Sequence, residues 1–284
     1  MKIKETVQTV GGMFASIASR LEKHSDTPAL DSQGVIAHVL EKPGSWVMAN
    51  PEIPLPAHDA AALESLVKRL ENGEPLPYIL GRWEFFGLPF NVTPDVLIPR
   101  PETEIMVERA IAWLQQHPDR RLAADVGTGS GCIGISLAVH VPDLEVMASD
   151  ISSAALKVAM NNAVNNSVAA RMEFLRCNLL PPETEYDLIV ANLPYIPTKT
   201  LHRLPIYGRE PTTALDGGAD GLQIIRNLLT IAPDRLIPGG LLLMEIEASE
   251  GPAAISLACD IFAKAEIHLH KDLAGRDRLL EIQV

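Results

Sequence analysis

The most specific chemistry in the chain lies where the apolar run Tyr186-Asp-Leu-Ile-Val-Ala191 gives way to Asn192-Leu193-Pro194-Tyr195. An Asn side-chain oxygen and a neighbouring backbone carbonyl are both acceptors, and together they suit the two hydrogens of a planar NH₂ group. Tyr195 offers a flat surface to confine that group. A turn closed by Asn and Pro accounts for an isolated Asn-x-Pro-Tyr equally well, so position has to decide. Upstream, Asp125-Val-Gly127-Thr128-Gly129-Ser130-Gly131 stands between an apolar strand-like run and a helix-like one. A glycine-rich turn there lets a ligand approach backbone amides and a helix N-terminus. Gly129, Gly131 and Gly134 also satisfy G-x-G-x-x-G, so a dinucleotide site is weighed. The next apolar run ends at Ser149-Asp150, where a carboxylate can accept from both hydroxyls of a ribose. Glycine loop and acidic strand end together imply an adenosine-containing cofactor. An NH₂ clamp has no use in hydride transfer, which leaves an NAD-dependent oxidoreductase as the weakest reading.

These residues need a scaffold, and the pattern supplies one. From Leu122 onward, strand-like runs at 122–126, 144–149, 172–175, 186–191, 241–247, 266–270 and 278–283 alternate with helix-like runs at 131–140, 152–165, 220–235 and 249–264. Such alternation predicts a doubly wound α/β fold, a seven-stranded and mostly parallel sheet with helices on both faces. Only Lys271–Asp277 separates the last two strands, so they pair antiparallel. Ligands in open α/β sheets bind outside the carboxyl ends of the strands, which is where Gly127–Gly131, Asp150 and Asn192–Tyr195 all fall.

Residues 1–75 read as a small helical domain with breaks around Pro28, Gly34, Pro43–Gly44 and Asn50–Pro56. Its clearest helix follows Asp59 as N-cap, with Leu63, Leu66, Val67 and Leu70 on one face and Gly73 past its end. Residues 76–98 hold short β-prone runs at Tyr78–Leu80, Trp83–Phe86 and Phe90–Val92 and read as a β-hairpin linker. A catalytic domain then spans 99–284, with Pro101 at the first turn of its leading helix.

A formal charge of −12 and the lack of a basic half argue against an extended nucleic-acid surface. Three scattered cysteines without a CxxC suggest neither a disulfide framework nor a zinc ribbon, and His268 with His270 reads as an ordinary strand pair rather than a metal site. No apolar run reaches the ~18 residues of a membrane span, and no leader pattern opens the chain. The expected compartment is the cytoplasm.

Several further segments carry a resemblance. They are Pro77-Tyr-Ile-Leu-Gly81, Glu84-Phe-Phe-Gly87, Ile98-Pro-Arg-Pro-Glu-Thr-Glu104, Asp150-Ile-Ser-x-x-Ala-Leu156, Glu210-Pro-x-x-Ala-Leu215 and Gly217-Gly-x-Asp-Gly-Leu222. With the glycine loop and Asn192–Tyr195, the chain resembles the HemK/PrmC family of peptide chain release factor glutamine N5-methyltransferases. That resemblance covers about residues 75–250. It implies a class I methyltransferase that uses S-adenosylmethionine and leaves S-adenosylhomocysteine. The implied cofactor residues are Gly127, Thr128, Gly129, Ser130, Gly131, Asp150, Asn178, Leu179 and Asn192, with Asn178 meeting the adenine amino group. Asn192, Leu193, Pro194 and Tyr195 are implied to hold the substrate, Asn192 and Tyr195 as catalytic residues. The implied substrate is the Gln of the Gly-Gly-Gln motif in class I release factors, with residues 1–75 recognising the protein.

Three departures stand out. Leu193 replaces the family's usual proline, Asn178 its usual acidic residue, and Glu247 its usual glycine. Methylation of adenine N6 in RNA or DNA is the alternative, because that amine is also a planar NH₂. A non-catalytic cofactor-binding interaction module is the alternative of another class.

Overall fold

Each central strand buries both faces, and the parity of its residues assigns them. In 236–245, Leu241 and Leu243 join one apolar cluster while Leu242 and Met244 join another; in 186–191, Leu188 and Val190 divide from Ile189 and Ala191 in the same way. The first cluster packs against Met106, Leu114, Ile135 and Leu137, and the second against Leu228, Leu229, Ala254 and Ala258. Helices on both faces are therefore required, and continuous apolar strands are their sequence mark. Each fully buried leucine contributes roughly 1.5–3 kcal/mol.

The computed structural model describes residues 8–284. Its strands are β1 (Arg82–Phe85), β2 (Leu88–Asn91), β3 (Leu122–Val126), β4 (Glu145–Asp150), β5 (Met172–Arg176), β6 (Tyr186–Ala191), β7 (Leu236–Glu245), β8 (Glu266–Lys271) and β9 (Asp277–Gln283). β1 and β2 form a hairpin, and the others form one sheet in the order β5-β4-β3-β6-β7-β9-β8. Pairs among β3, β4, β5, β6 and β7 are parallel, whereas β9 runs antiparallel to both β7 and β8. The chain reverses its direction of winding between β3 and β6, which opens a crevice at their carboxyl ends.

The chain divides into two compact units, Met1–Gly81 and Arg82–Val284. The first is a helical cluster around Ile17, Val35, Ile36, Leu63 and Val67. Gly34 breaks nothing: it lies inside helix Pro28–Val39, where the Leu76 side chain packs close to it. Helix Ala57–Glu71 starts two residues before Asp59, which sits in the first turn and complements the helix dipole instead of capping it. Tyr78–Leu80 is helical, not extended. Pro77 starts the short helix Leu76–Leu80 and left-handed Gly81 ends it, so proline placement overrides the β preference of the side chains.

In the second unit a single hairpin turns at Phe86 and Gly87, both with positive φ. Glu104 accepts the Phe86 N–H at 2.8 Å, which ties that turn to the start of helix Glu104–Gln116. Pro101 opens a short 3₁₀ turn just ahead of this helix. β7 begins at Leu236, five residues earlier than expected from the sequence. Tyr186 pairs with Leu236 across a register shift, so the Pro238-Gly239-Gly240 stretch is absorbed inside the strand.

Candidate active site

At the carboxyl ends of β3, β4 and β6 lies a cavity of about 460 Å³. Gly127, Thr128, Gly129, Ser130, Asp150, Asn178, Leu179, Asn192, Leu193 and Pro194 line it. Two expected residues do not. Gly131 caps helix Cys132–His140 from behind, facing Ile135 and Ala159. Tyr195 is turned toward β7, where its hydroxyl donates to Glu245 Oε1 at 3.1 Å. It anchors the loop rather than walling the cavity.

The glycine loop is held from two sides. Its first two N–H groups, of Gly127 and Thr128, both donate to the Ser149 carbonyl at 2.9 Å. Buried Asp125 takes the Thr128 hydroxyl at 2.6 Å and the Gly134 N–H at 3.0 Å on one oxygen. Burial pushes the Asp125 carboxyl up to about 6 in spite of those two donors. Gly129 has φ +56°, and a Cβ there would meet only the Gly127 carbonyl, at 3.9 Å. Any side chain at this position would therefore project into the cavity.

Asp150 accepts the Gly129 N–H at 3.0 Å and the Ser152 N–H at 2.8 Å, one on each oxygen. A carboxylate has about four lone-pair sites, so acceptor capacity remains for a ligand. Past β5, Leu179 takes a left-handed φ of 63°. Its carbonyl accepts from the Ser149 hydroxyl at 2.6 Å, which fixes the backbone beside Asn178. A cavity with a bare backbone cradle past β3, a carboxylate ending β4 and an amide past β5 fits an adenosine-containing cofactor.

Asn192 donates through Nδ2 to Thr103 Oγ1 at 3.0 Å, and among the described residues no donor reaches its Oδ1. Thr103 donates in turn to Glu245 Oε2 at 2.5 Å. Thr103 and Glu245 are buried, and burial raises the Glu245 carboxyl above its usual range despite the nearby Arg278 charge. Burial and the Glu245 charge also raise the Tyr195 phenol. The sequence reading gave Thr103 and Glu245 no role. The signal was present in Glu245 itself, a lone carboxylate closing the apolar run Leu241-Leu-Leu-Met244 at a strand's carboxyl end.

Two motifs of the resemblance prove to be one structure. Glu210 accepts the Ile98 N–H at 3.1 Å and, on its other oxygen, the Arg100 guanidinium. The Gly217–Leu222 loop lies against the Tyr195 backbone, and a Cβ on Gly217 would come within 2.7 Å of Tyr195 Cα. Glu247, the third departure, accepts the Ser249 N–H at 2.6 Å and caps the following 3₁₀ turn.

A sequence profile described as the PrmC N-terminal domain matches residues 13–81, and one described as the methyltransferase small domain matches residues 104–203. A release factor glutamine methyltransferase from Bordetella pertussis is 41% identical over 257 residues, covering 89% of this chain and 93% of that one. Its counterpart from Coxiella burnetii is 39% identical over 268 residues, covering 93% and 95%. The chain belongs to the release factor glutamine methyltransferase family. The resemblance drawn from the motifs thus holds over nearly the whole chain, including the helical N-terminal region, where no motif carried it. Among solved structures, the N-terminal domain of human METTL16 in complex with SAH has a TM-score of 0.52 at 16% identity, covering 87% of this chain and 93% of that one. At that identity the likeness speaks to the family's fold alone. No helix among the described residues is long and apolar enough to cross a membrane.

Proposed function

We propose that this chain methylates the side-chain amide nitrogen of the Gln in the Gly-Gly-Gln motif of class I release factors, with S-adenosylmethionine as methyl donor. One observation carries the reading. Asn192 stands on the cavity that the glycine loop and Asp150 line, with its Nδ2 engaged by Thr103 and its Oδ1 free to accept.

Gly127–Ser130, Asp150, Asn178 and Leu179 would hold the cofactor, Asp150 at the ribose and Asn178 at the adenine amino group. When bound, S-adenosylmethionine supplies a methyl group activated by its sulfonium. An amide nitrogen is a poor nucleophile because its lone pair is delocalised into the carbonyl. Asn192 Oδ1 and the Leu193 carbonyl accept its two hydrogens and hold the nitrogen in one orientation. Two acceptors also stabilise positive charge developing on that nitrogen. The proton it loses passes to water, so no His or Cys is required. Leu193 in place of proline keeps the acceptor carbonyl. The helical unit, with Leu30, Met48 and Ile53 exposed outside its own core, is assigned to recognition of the protein substrate. A cytoplasmic setting belongs to the same reading.

The experiment is incubation with labelled S-adenosylmethionine and a purified class I release factor, followed by mapping of the labelled residue. Label on the Gly-Gly-Gln glutamine is expected. Label on adenine in an RNA or DNA arm, with none on the release factor, would replace this reading with N6-adenine methylation. A chain that binds the cofactor and labels neither is an interaction module.

A further inference from the structure

The amide of Asn has a donor end and an acceptor end that differ little in shape, so its orientation is set by its neighbours' hydrogen bonds. Three buried or half-buried groups set it here. Glu245 accepts from Thr103 on Oε2 and from Tyr195 on Oε1. With Glu245 ionised both its oxygens only accept, and in that state the single Thr103 hydroxyl hydrogen is committed to Glu245. Thr103 Oγ1 is then left with lone pairs alone toward Asn192. Asn192 must present its NH₂ there, at 3.0 Å, and its oxygen must face the cavity.

We propose that Glu245 and Thr103 form a polarity relay that fixes the Asn192 amide with its oxygen toward the substrate, and so make the site select an NH₂ donor. The relay rests on the reading of Asn192 as the amide acceptor. It gives two residues outside the cofactor loop a positioning role: neither touches the reacting nitrogen, and both act through Asn192. The sheet order explains their reach. β6 and β7 are parallel neighbours with Ala191 beside Met244, so Asn192 and Glu245 leave the sheet side by side. Thr103, just before helix Glu104–Gln116, is wedged between them.

Neutralising the carboxylate without changing its shape reverses the logic. In E245Q, with Tyr195 still donating to the remaining oxygen, the new NH₂ donates to Thr103, the hydroxyl hydrogen turns to Asn192, and Asn192 flips to present NH₂ to the cavity. The Asn192 NH₂ then meets the substrate NH₂ donor to donor, and only the Leu193 carbonyl still accepts.

The test compares wild type with T103S, T103V and E245Q. Each is measured for release factor methylation (kcat and KM), S-adenosylhomocysteine affinity by calorimetry, and thermal melting. Thr103→Ser keeps the hydroxyl and loses a methyl; Thr103→Val keeps the shape and loses the hydroxyl. The relay predicts kcat within about threefold of wild type for T103S. It predicts a loss of roughly 10²-fold for T103V and E245Q, of the size seen when one preorganised partner is lost. S-adenosylhomocysteine affinity stays within about threefold throughout. A purely packing role predicts the opposite order, with T103V the better variant. A polarity readout is added: a release factor whose glutamine is replaced by glutamate is used as competitive inhibitor. Because E245Q turns a donor toward the cavity, it should be inhibited at least about tenfold more strongly than wild type. T103V at or above T103S, or E245Q with unchanged kcat and unchanged inhibition, overturns the relay while the functional reading stands. A wild type that leaves the release factor unmethylated overturns that reading, and the relay with it.

Discussion

The Gly129 N–H donates to Asp150 Oδ2 at 3.0 Å, so the glycine loop after β3 and the end of β4 meet at a single carboxylate. Asp150→Ala removes the proposed ribose acceptor and this loop anchor together. A charge-assisted hydrogen bond contributes roughly 1.5–3 kcal/mol. Affinity for S-adenosylmethionine is expected to fall about ten- to a hundredfold, with the fold intact by circular dichroism. Asp150→Asn keeps one acceptor oxygen and should lose less. Calorimetry reads both, and an unchanged affinity in Asp150→Ala removes Asp150 from the cofactor site.

Burial pushes the Glu250 carboxyl up to about 7 from its ordinary 4.5, with Glu247 and Asp220 adding repulsion, and neither oxygen has a hydrogen-bond partner among the described residues. A folded-state value above the unfolded one means that the folded protein holds this proton more tightly. Ionisation therefore costs stability progressively as pH rises from about 4.5 to about 7, and the cost is constant above that. Glu250 immediately precedes helix Gly251–Ile261, whose dipole offsets part of it. Glu250→Gln keeps the shape without the charge and should stabilise by about 1–2 kcal/mol at pH 8. The gain should vanish near pH 4. Melting curves across that range check the sign, and an equal gain at both ends would show that charge is not the cause.

Leu193 packs in the core cluster beneath the glycine loop, and its N–H donates to no backbone carbonyl among the described residues. Leu193→Pro therefore gives up no backbone bond. The ring restricts the unfolded chain, worth about 0.4–1 kcal/mol, and the lost apolar volume costs a comparable amount. Melting temperature should change little, and methyl transfer should stay within about threefold of wild type or rise. A loss beyond tenfold in a folded variant would mean that the loop needs leucine's freedom or its side chain.

Strand parity made the sheet legible, because Leu241 through Met244 and Leu188 through Ala191 alternate between two cores. The cofactor cradle was legible for a similar reason: Gly127–Ser130 and Asp150 sit at strand ends, and the open-sheet rule brings strand ends together. What escaped depends on long-range partners. Thr103 meets Glu245 142 residues away, and Glu210 reaches Ile98 across 112, with no local period to mark either pair. Tyr195 was expected on the cavity wall, but its phenol is drawn to the buried Glu245, a partner on a strand its own neighbours do not reveal. The helix at Leu76–Leu80 was missed because its side chains favour strand while its prolines and Gly81 decide otherwise.

Asn192→Ala tests the centre of the proposed function. The variant deletes Oδ1, one of two acceptors, and leaves the substrate amide free to turn about its remaining contact at Leu193. Loss of one preorganised partner typically costs ~10²–10³ in rate. The cofactor's proposed contacts lie mostly on Gly127–Ser130 and Asp150, so S-adenosylmethionine affinity should change by less than about fivefold. Alanine also leaves Thr103 Oγ1 without its donor, a modest stability loss of about 1 kcal/mol that a thermal melt separates from the kinetic effect. Asn192→Asp is the sharper companion. It keeps an acceptor toward the cavity, so a simple need for oxygen predicts a mild defect. Yet Thr103 has one hydrogen for two carboxylates, the introduced one and Glu245, and their repulsion should disturb the loop and raise one carboxyl's proton affinity. Asn192→Asp should therefore be nearly as slow as alanine at pH 8 and recover in part at lower pH, where one of the pair is protonated. Single-turnover methylation of a release factor at pH 6 and pH 8, with cofactor affinity measured in parallel, gives both numbers. Near-normal transfer by a folded Asn192→Ala would remove Asn192 from the substrate site, and with it the ground for reading this cavity as an amide clamp.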